Sequence, residues 1–200
     1  MSNERIVVPA GANQMYRHYF DYRKITAEEI DMLTIAHSLA LICRFNGQIN
    51  RFFSVGAHVC FVHDRMWEDG RTKRQCLLGL LHDCHEGIFQ DMTRPLKDFV
   101  IAEFNFDPNI ITDKIDAAIY AKLGIEPPDE HEKNLIKHYD NRSLFTEKEY
   151  LFSEKMDWGW FVQPYHHSTF EYYLDYGKSW ENEFLNRLET YQNEGICHYG

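Results

Sequence analysis

Long apolar runs are missing from this 200-residue chain. The longest lie around Leu39 to Cys43 and Leu77 to Leu81, far short of the ~20 residues a bilayer requires, which excludes a membrane-spanning helix. Basic residues are in deficit. Lys and Arg number 21 against 31 Asp and Glu, a net charge of −10, which is the wrong sign for a protein that coats duplex nucleic acid or an anionic membrane. Cys-x-x-Cys pairs are absent. The five cysteines (Cys43, Cys60, Cys76, Cys84, Cys197) form an odd set, four of them inside apolar helical patterns, which argues against a disulfide framework and for reduced core thiols. The N-terminus reaches only Ile6-Val7-Val8 before Pro9, without the apolar stretch and cleavage site of a secretory signal, so the expected location is cytoplasmic. No long alternating segment demands a sheet, and there is no repeat or low-complexity run.

What remains is 44% hydrophobic and 15% aromatic, enough to bury a core as one domain over residues 1–200. Helical punctuation dominates, and the expected fold class is all-α. Thr26-Ala27-Glu28-Glu29 has capping-box spacing, and a first helix runs through Leu33, Ala36, Ala40 and Cys43, with a possible break near Thr34 and a stop at Gly47. Ser54 caps a second helix with Val55, Val59, Val62 and Met66 on one face. From about Thr72 the chain is apolar all round and ends in His82-Asp83, a buried helix with ionisable residues at its C-terminal end. Thr93 to Lys97 has a loop signal, Ile115 to Leu123 is a short helix closed by Gly124, and Asp129-Glu130-His131-Glu132 is a second capping box. On the helix that follows it, Ile136, Asp140, Leu144 and Glu147 share roughly one face. Residues 152–200 are an aromatic-rich helical extension whose last helix carries Trp180, Phe184, Leu188 and Tyr191.

His58, His82, Asp83 and Asp140 are the candidate metal ligands. Each belongs to a helical segment with a buried face, and two imidazoles with two carboxylates suit a borderline divalent ion; Zn, Co, Mn and Mg are the candidates. A second His-Asp pair, His63-Asp64, is followed by Arg65 and no nearby acid cluster, and is read as a decoy. The run His82-Asp83-Cys84-His85-Glu86-Gly87-Ile88-Phe89-Gln90-Asp91-Met92-Thr93-Arg94-Pro95-Leu96-Lys97 is more specific. It resembles the HD-domain phosphohydrolases, in particular the nucleotide-cleaving branch with the pattern H…HDxxE(x4)D(x2)xPxK…D, found in bacterial deoxynucleoside 5′-monophosphatases and in phage HD proteins that include dATP triphosphohydrolases. Ile35 to Gly47 and Arg51 to His58 resemble the phage branch as well. The resemblance covers about residues 16–151, and two positions depart from it: Gly56-Ala57 before the first ligand, and Gly87 after Glu86.

The resemblance implies an HD-type helical bundle with His58, His82, Asp83 and Asp140 on the metal. Glu86 and Asp91 would be the catalytic acid pair, and Arg44-Phe45 the phosphate and base contact. Arg94 and Lys97 are further cations for substrate phosphates. The implied activity is removal of the 5′-phosphate or triphosphate from a deoxynucleotide, with a lean towards dAMP and dATP. The alternatives are an HD phosphodiesterase or alarmone hydrolase, or an inactive nucleotide-binding protein. His85 is expected to support the site, and His37 and Glu147 to pack between helices. The late aromatics suggest core or subunit interface, hence a homo-oligomer.

Overall fold

The computed structural model describes residues 20–154 and 157–198; Ile6 to Pro9 and Tyr16, the start of the motif region, lie outside them. The described chain is all-α: α1 Met32–Leu41, α2 Val55–Glu68, α3 Lys73–Leu81, α4 Glu86–Phe89, α5 Arg94–Phe104, α6 Asn109–Leu123, α7 Glu130–Leu151, α8 His167–Glu171 and α9 Trp180–Asn193, with 3-10 turns at 27–29, 44–47 and 172–174. Among the described residues there is no strand beyond one isolated antiparallel bridge, Cys43 to Ser54, and no helix is long and apolar enough to cross a membrane.

α2 is the axis of the fold. Ser54 accepts a hydrogen bond from the Ala57 N–H at 3.0 Å, and Val55 to His63 are all buried, because α1, α3, α7 and α9 pack around the helix. A helix enclosed on every side must be apolar on every side, so the two imidazoles it carries need partners inside the protein. α9 places Trp180, Phe184, Leu188 and Tyr191 in the same core; the aromatic extension therefore completes this core and does not form a separate one. Of the five cysteines, Cys43 is half-buried, the other four are buried, and all are free thiols.

Four sequence expectations are corrected. Thr26 makes no side-chain cap; a 3-10 turn ends at Glu29 and Asp31 starts α1, its carboxylate accepting from the Leu33 N–H at 3.2 Å and the Thr34 hydroxyl at 2.6 Å. The break thus precedes Thr34, and α1 ends at Leu41. The second is residues 94–97, which form the first turn of α5 and not a loop, because Pro95 is tolerated where no intrahelical N–H bond is needed. α6 begins at Asn109, six residues before Ile115. Finally, α3 stops at Leu81. A tight turn closed by the Glu86 N–H to Asp83 C=O bond separates His82 from α4, so His82 and Glu86 do not share one continuous helix.

Gly56 and Gly87 both let a helix approach α1. A Cβ on Gly56 would lie 3.3 Å from the backbone of Leu39 and Ala40, and one on Gly87 would lie 3.1 Å from the Ile35 carbonyl. The two departures from the family pattern are therefore close-packing contacts that fix α2 and α4, the helices bearing His58 and Glu86, against one neighbour.

Candidate metal centre

The four residues singled out as ligands converge. His58 Nε2 lies 3.2 Å from His82 Nε2, 3.3 Å from Asp140 Oδ1 and 3.5 Å from Asp83 Oδ2. His82 Nε2 lies 3.3 Å from Asp83 Oδ2 and 3.8 Å from Asp140 Oδ1. Ligand atoms about 2.1 Å from one ion stand roughly 3.0–3.4 Å from each other in octahedral or tetrahedral arrangements, and most of these separations fall in or beside that range. Two helices and a turn deliver them: α2 gives His58, the turn after α3 gives His82 and Asp83, and α7 gives Asp140.

The far nitrogens explain why the near ones point inward. His82 Nδ1 is 2.8 Å from the Gly79 carbonyl, which can only accept, so Nδ1 donates there and Nε2 is the nitrogen turned towards the cluster. His58 Nδ1 is 2.5 Å from Glu147 Oε1, a fully buried carboxylate whose other oxygen accepts from Arg44 Nε at 2.8 Å. Glu147, expected only to pack, instead holds the first imidazole in orientation. Its signal in the sequence was its place seven residues after Asp140 on the same face. Lys137, one turn before Asp140, donates to Asp140 Oδ2 at 2.6 Å and leaves Oδ1 facing the imidazoles; nothing in the sequence reading marked it.

The electrostatics match a cation. Burial pushes the His82 pKa down, yet Asp83 and Asp140 override it and hold it well above the ordinary value. At His58 burial and Arg44 push down, and Glu147 and Asp140 prevail. Burial raises the Asp83 and Asp140 carboxyls, but the two imidazoles hold both well below the usual range. Glu147, Asp83, Glu86 and Asp91 face one guanidinium, Arg44, and hold its pKa above the ordinary value against the effect of burial; a divalent ion would add positive charge among these groups.

Glu86 is buried, with Oε2 lacking any hydrogen-bond partner. Burial, then the Asp83 and Asp91 charges, raise its pKa well above the ordinary value, which favours its protonated form. Asp91, just past α4, accepts from the Phe45 N–H at 3.3 Å, and burial raises its pKa too. Arg44 is 7% exposed; besides Glu147 it has Asp83 Oδ2 at 3.6 Å and the Phe45 ring at 5.4 Å. Phe45 and Asn46 are left-handed at φ 55° and 52°, and Gln90 beside Asp91 has φ 77°. Non-glycine residues in this region cost roughly 1–2 kcal/mol each. The Arg44 N–H to Phe53 C=O bond at 2.9 Å, the Val55 N–H to Ile42 C=O bond at 3.0 Å and the Asp91 contact hold the segment. Asn46, Gln90 and Asp91 line an open cleft of about 500 Å³ together with His37 and Leu41 of α1.

Other candidates sit apart. Among the described residues Arg94 and Lys97 make no hydrogen bond or ion pair with the cluster; Arg94 is exposed and lies 6.0 Å from the Trp160 ring centre. His85 Nδ1 turns 3.0 Å from Asp116 Oδ1 on α6, and His37 Nδ1 lies 2.9 Å from Glu181 on α9. His63 is occupied by Asp64 at 2.7 Å and the Tyr191 hydroxyl at 2.8 Å.

No family model matches the sequence. Among curated proteins the chain is similar to the uncharacterized protein YfdR of Escherichia coli, 32% identical over 130 residues that cover 65% of this chain and 66% of that protein. It is also similar to an uncharacterized protein of Rhodobacter capsulatus, 31% identical over 104 residues that cover 50% of this chain and 51% of that protein. The chain thus spans just under two thirds, and about half, of the lengths of these relatives.

Proposed function

We propose that this chain is a divalent-metal-dependent phosphohydrolase of the HD type that removes the 5′-linked phosphate or triphosphate of a deoxynucleotide. The observation that carries the reading is the convergence of His58 Nε2, His82 Nε2, Asp83 Oδ2 and Asp140 Oδ1 with the far nitrogens held by Glu147 and the Gly79 carbonyl. A salt-bridge cluster needs no such orientation of the imidazoles, whereas a ligand set does. A divalent ion held by these four residues supplies Lewis acidity towards a phosphoryl oxygen and lowers the pKa of water.

The chain's own groups do the rest. Glu86, whose protonated form burial and the Asp83 and Asp91 charges favour, donates to the nucleoside oxygen that leaves. Asp91 holds the strained Phe45 backbone beside the cleft and is placed to accept from a sugar hydroxyl or the attacking water. Arg44, anchored through Nε to Glu147, stabilises negative charge on the phosphate. The Phe45 ring, braced edge-on by Phe152 at 5.0 Å, packs on the sugar or base. Arg94 and Lys97 open α5 three and six residues beyond Asp91 and meet the outer phosphates of a longer substrate.

The test is a nucleotide panel with added Zn, Co, Mn or Mg, resolving nucleoside, orthophosphate and tripolyphosphate. Deoxyadenosine is expected from both dAMP and dATP, and Glu86→Gln should lower kcat by roughly 10²–10⁴ with the metal retained. Release of pyrophosphate from dATP places the attack elsewhere, and cleavage confined to a cyclic dinucleotide or a 3′-phosphorylated alarmone replaces this substrate class. Loss of the metal in Glu86→Gln would make Glu86 a ligand.

A further inference from the structure

α5 differs from every other long helix of the fold: none of its residues is buried. Yet its sequence is amphipathic. Leu96, Phe99, Val100, Ile101 and Phe104 occupy one broad face by three- and four-residue spacing, and Phe106 continues it past the left-handed Asn105 that ends the helix. Val100 is half-buried; the others run from 40% exposed at Phe106 and 41% at Leu96 to 67% at Phe104. At roughly 200 Å² for a fully exposed large side chain, these residues present on the order of 500 Å² of apolar surface. That is near the upper end for a monomer's largest patch, and it is about the apolar share of the ~800 Å² that each partner contributes to a stable interface.

The charges on α5 are arranged against its own dipole. Arg94 and Lys97 stand in the first turn and Glu103 in the last, with no acidic residue in the first turn and no basic one in the last. In an isolated helix each is placed at the unfavourable end. A second α5 running antiparallel reverses the penalty, since it brings a Glu103 to the basic end and an Arg94 and Lys97 to the acidic end. A parallel partner would stack like charges instead.

We propose that α5 is the surface through which two copies of this chain pair about a two-fold axis, apolar faces together and helices antiparallel. The interface is isologous, so one helix supplies both halves. Because α5 follows Asp91 directly, pairing would also fix the first turn that carries Arg94 and Lys97. The proposal is independent of the hydrolase reading, and its test reads mass and not turnover.

The test is sedimentation equilibrium of the full chain at micromolar concentration. The expected mass is twice the 23.9 kDa of one chain. Phe104→Glu should give single-chain mass with an unchanged far-ultraviolet circular dichroism spectrum, because the side chain it replaces is 67% exposed and packs edge-on against Phe99 of the same helix. Glu103→Lys, which removes no apolar surface, should weaken pairing by roughly tenfold at low salt. Phe161→Glu changes a residue that is 72% exposed but outside α5, and should leave the dimer intact. A single-chain mass for the unaltered protein overturns the proposal, as does a dimer that survives Phe104→Glu or one that Phe161→Glu dissociates.

Discussion

α2 carries His63-Asp64 and the turn after α3 carries His82-Asp83, the same dipeptide in two settings. At the first, every strong group is consumed. Asp64 accepts from Arg187 Nε at 2.9 Å and Nη2 at 2.7 Å and from the Tyr173 hydroxyl at 2.6 Å, and His63 bridges Asp64 to Tyr191. At the second, backbone and buried carboxylate take the far side of the imidazoles, and the near side brings Asp83 Oδ2 and Asp140 Oδ1 within 3.8 Å of both Nε2 atoms. The first pair is a clasp that ties α9 and the 172–174 turn to α2; the second joins the convergent cluster proposed to hold the ion. What the surrounding elements take up, and not the dipeptide itself, separates the two.

The largest effect that divides the two pairs is in metal content. Asp83→Ala should remove the bound ion and abolish turnover, while Asp64→Ala should keep stoichiometric metal in the fraction that remains folded, as read by elemental analysis of dialysed protein. Equal metal loss in both variants would dissolve the distinction, because it would mean that either pair serves the ion.

How far this was legible in the sequence follows from the kind of contact involved. The candidate ligands His58, His82, Asp83 and Asp140 follow from helical periodicity and an extended motif, and the Ser54 and Asp129 caps from local chemistry alone. Glu147 was on the right face and was misread, since its role depends on Arg44, 103 residues away in the chain. The left-handed backbone of Phe45 and Asn46 gave no sign, because neither is glycine and the strain is held by long-range bonds to Phe53 and Asp91. Residues 93–97 carry a loop signal because Pro95 reads as a breaker, whereas Pro in a first turn is compatible with the start of α5. Arg187 as the partner of Asp64 was invisible for the same reason as Glu147: it lies 123 residues away.

The next effect is on stability, and it falls on the clasp. Asp64 and Arg187 are largely buried, and removing one member of such a pair leaves the other without compensation, at a cost of about 3 kcal/mol. Asp64→Ala should therefore lower the Tm by several degrees. The pH dependence has a definite sign. Burial pushes the Asp64 carboxyl up, but His63, Arg187 and Tyr173 hold it well below its ordinary value. Its stabilising contribution is then fully present above roughly pH 5 and declines as pH falls through the unfolded carboxylate range near 4 towards the folded pKa. Chemical denaturation between pH 6 and pH 3 should show a steeper loss in the unaltered protein than in Asp64→Ala, and parallel curves would remove Asp64 from the account.

The smallest effect belongs to His63 itself. Its ring links Asp64 to Tyr191 and lies stacked 6.4 Å from Trp67, but Asp64 keeps both Arg187 bonds and the Tyr173 bond when the ring is gone. What is left unsatisfied in His63→Ala is the Tyr191 hydroxyl, together with the space the imidazole filled. The expected loss is about 1–2 kcal/mol, less than for Asp64→Ala, with metal content and kcat unchanged, as read by denaturant titration and activity on one preparation. His58 and His63 share α2, so a change in metal affinity in this variant would mean that the helix transmits a packing defect over five residues to the ligand. No such change is expected, because Glu147 and Arg44 orient His58 from outside α2 and do not depend on the clasp.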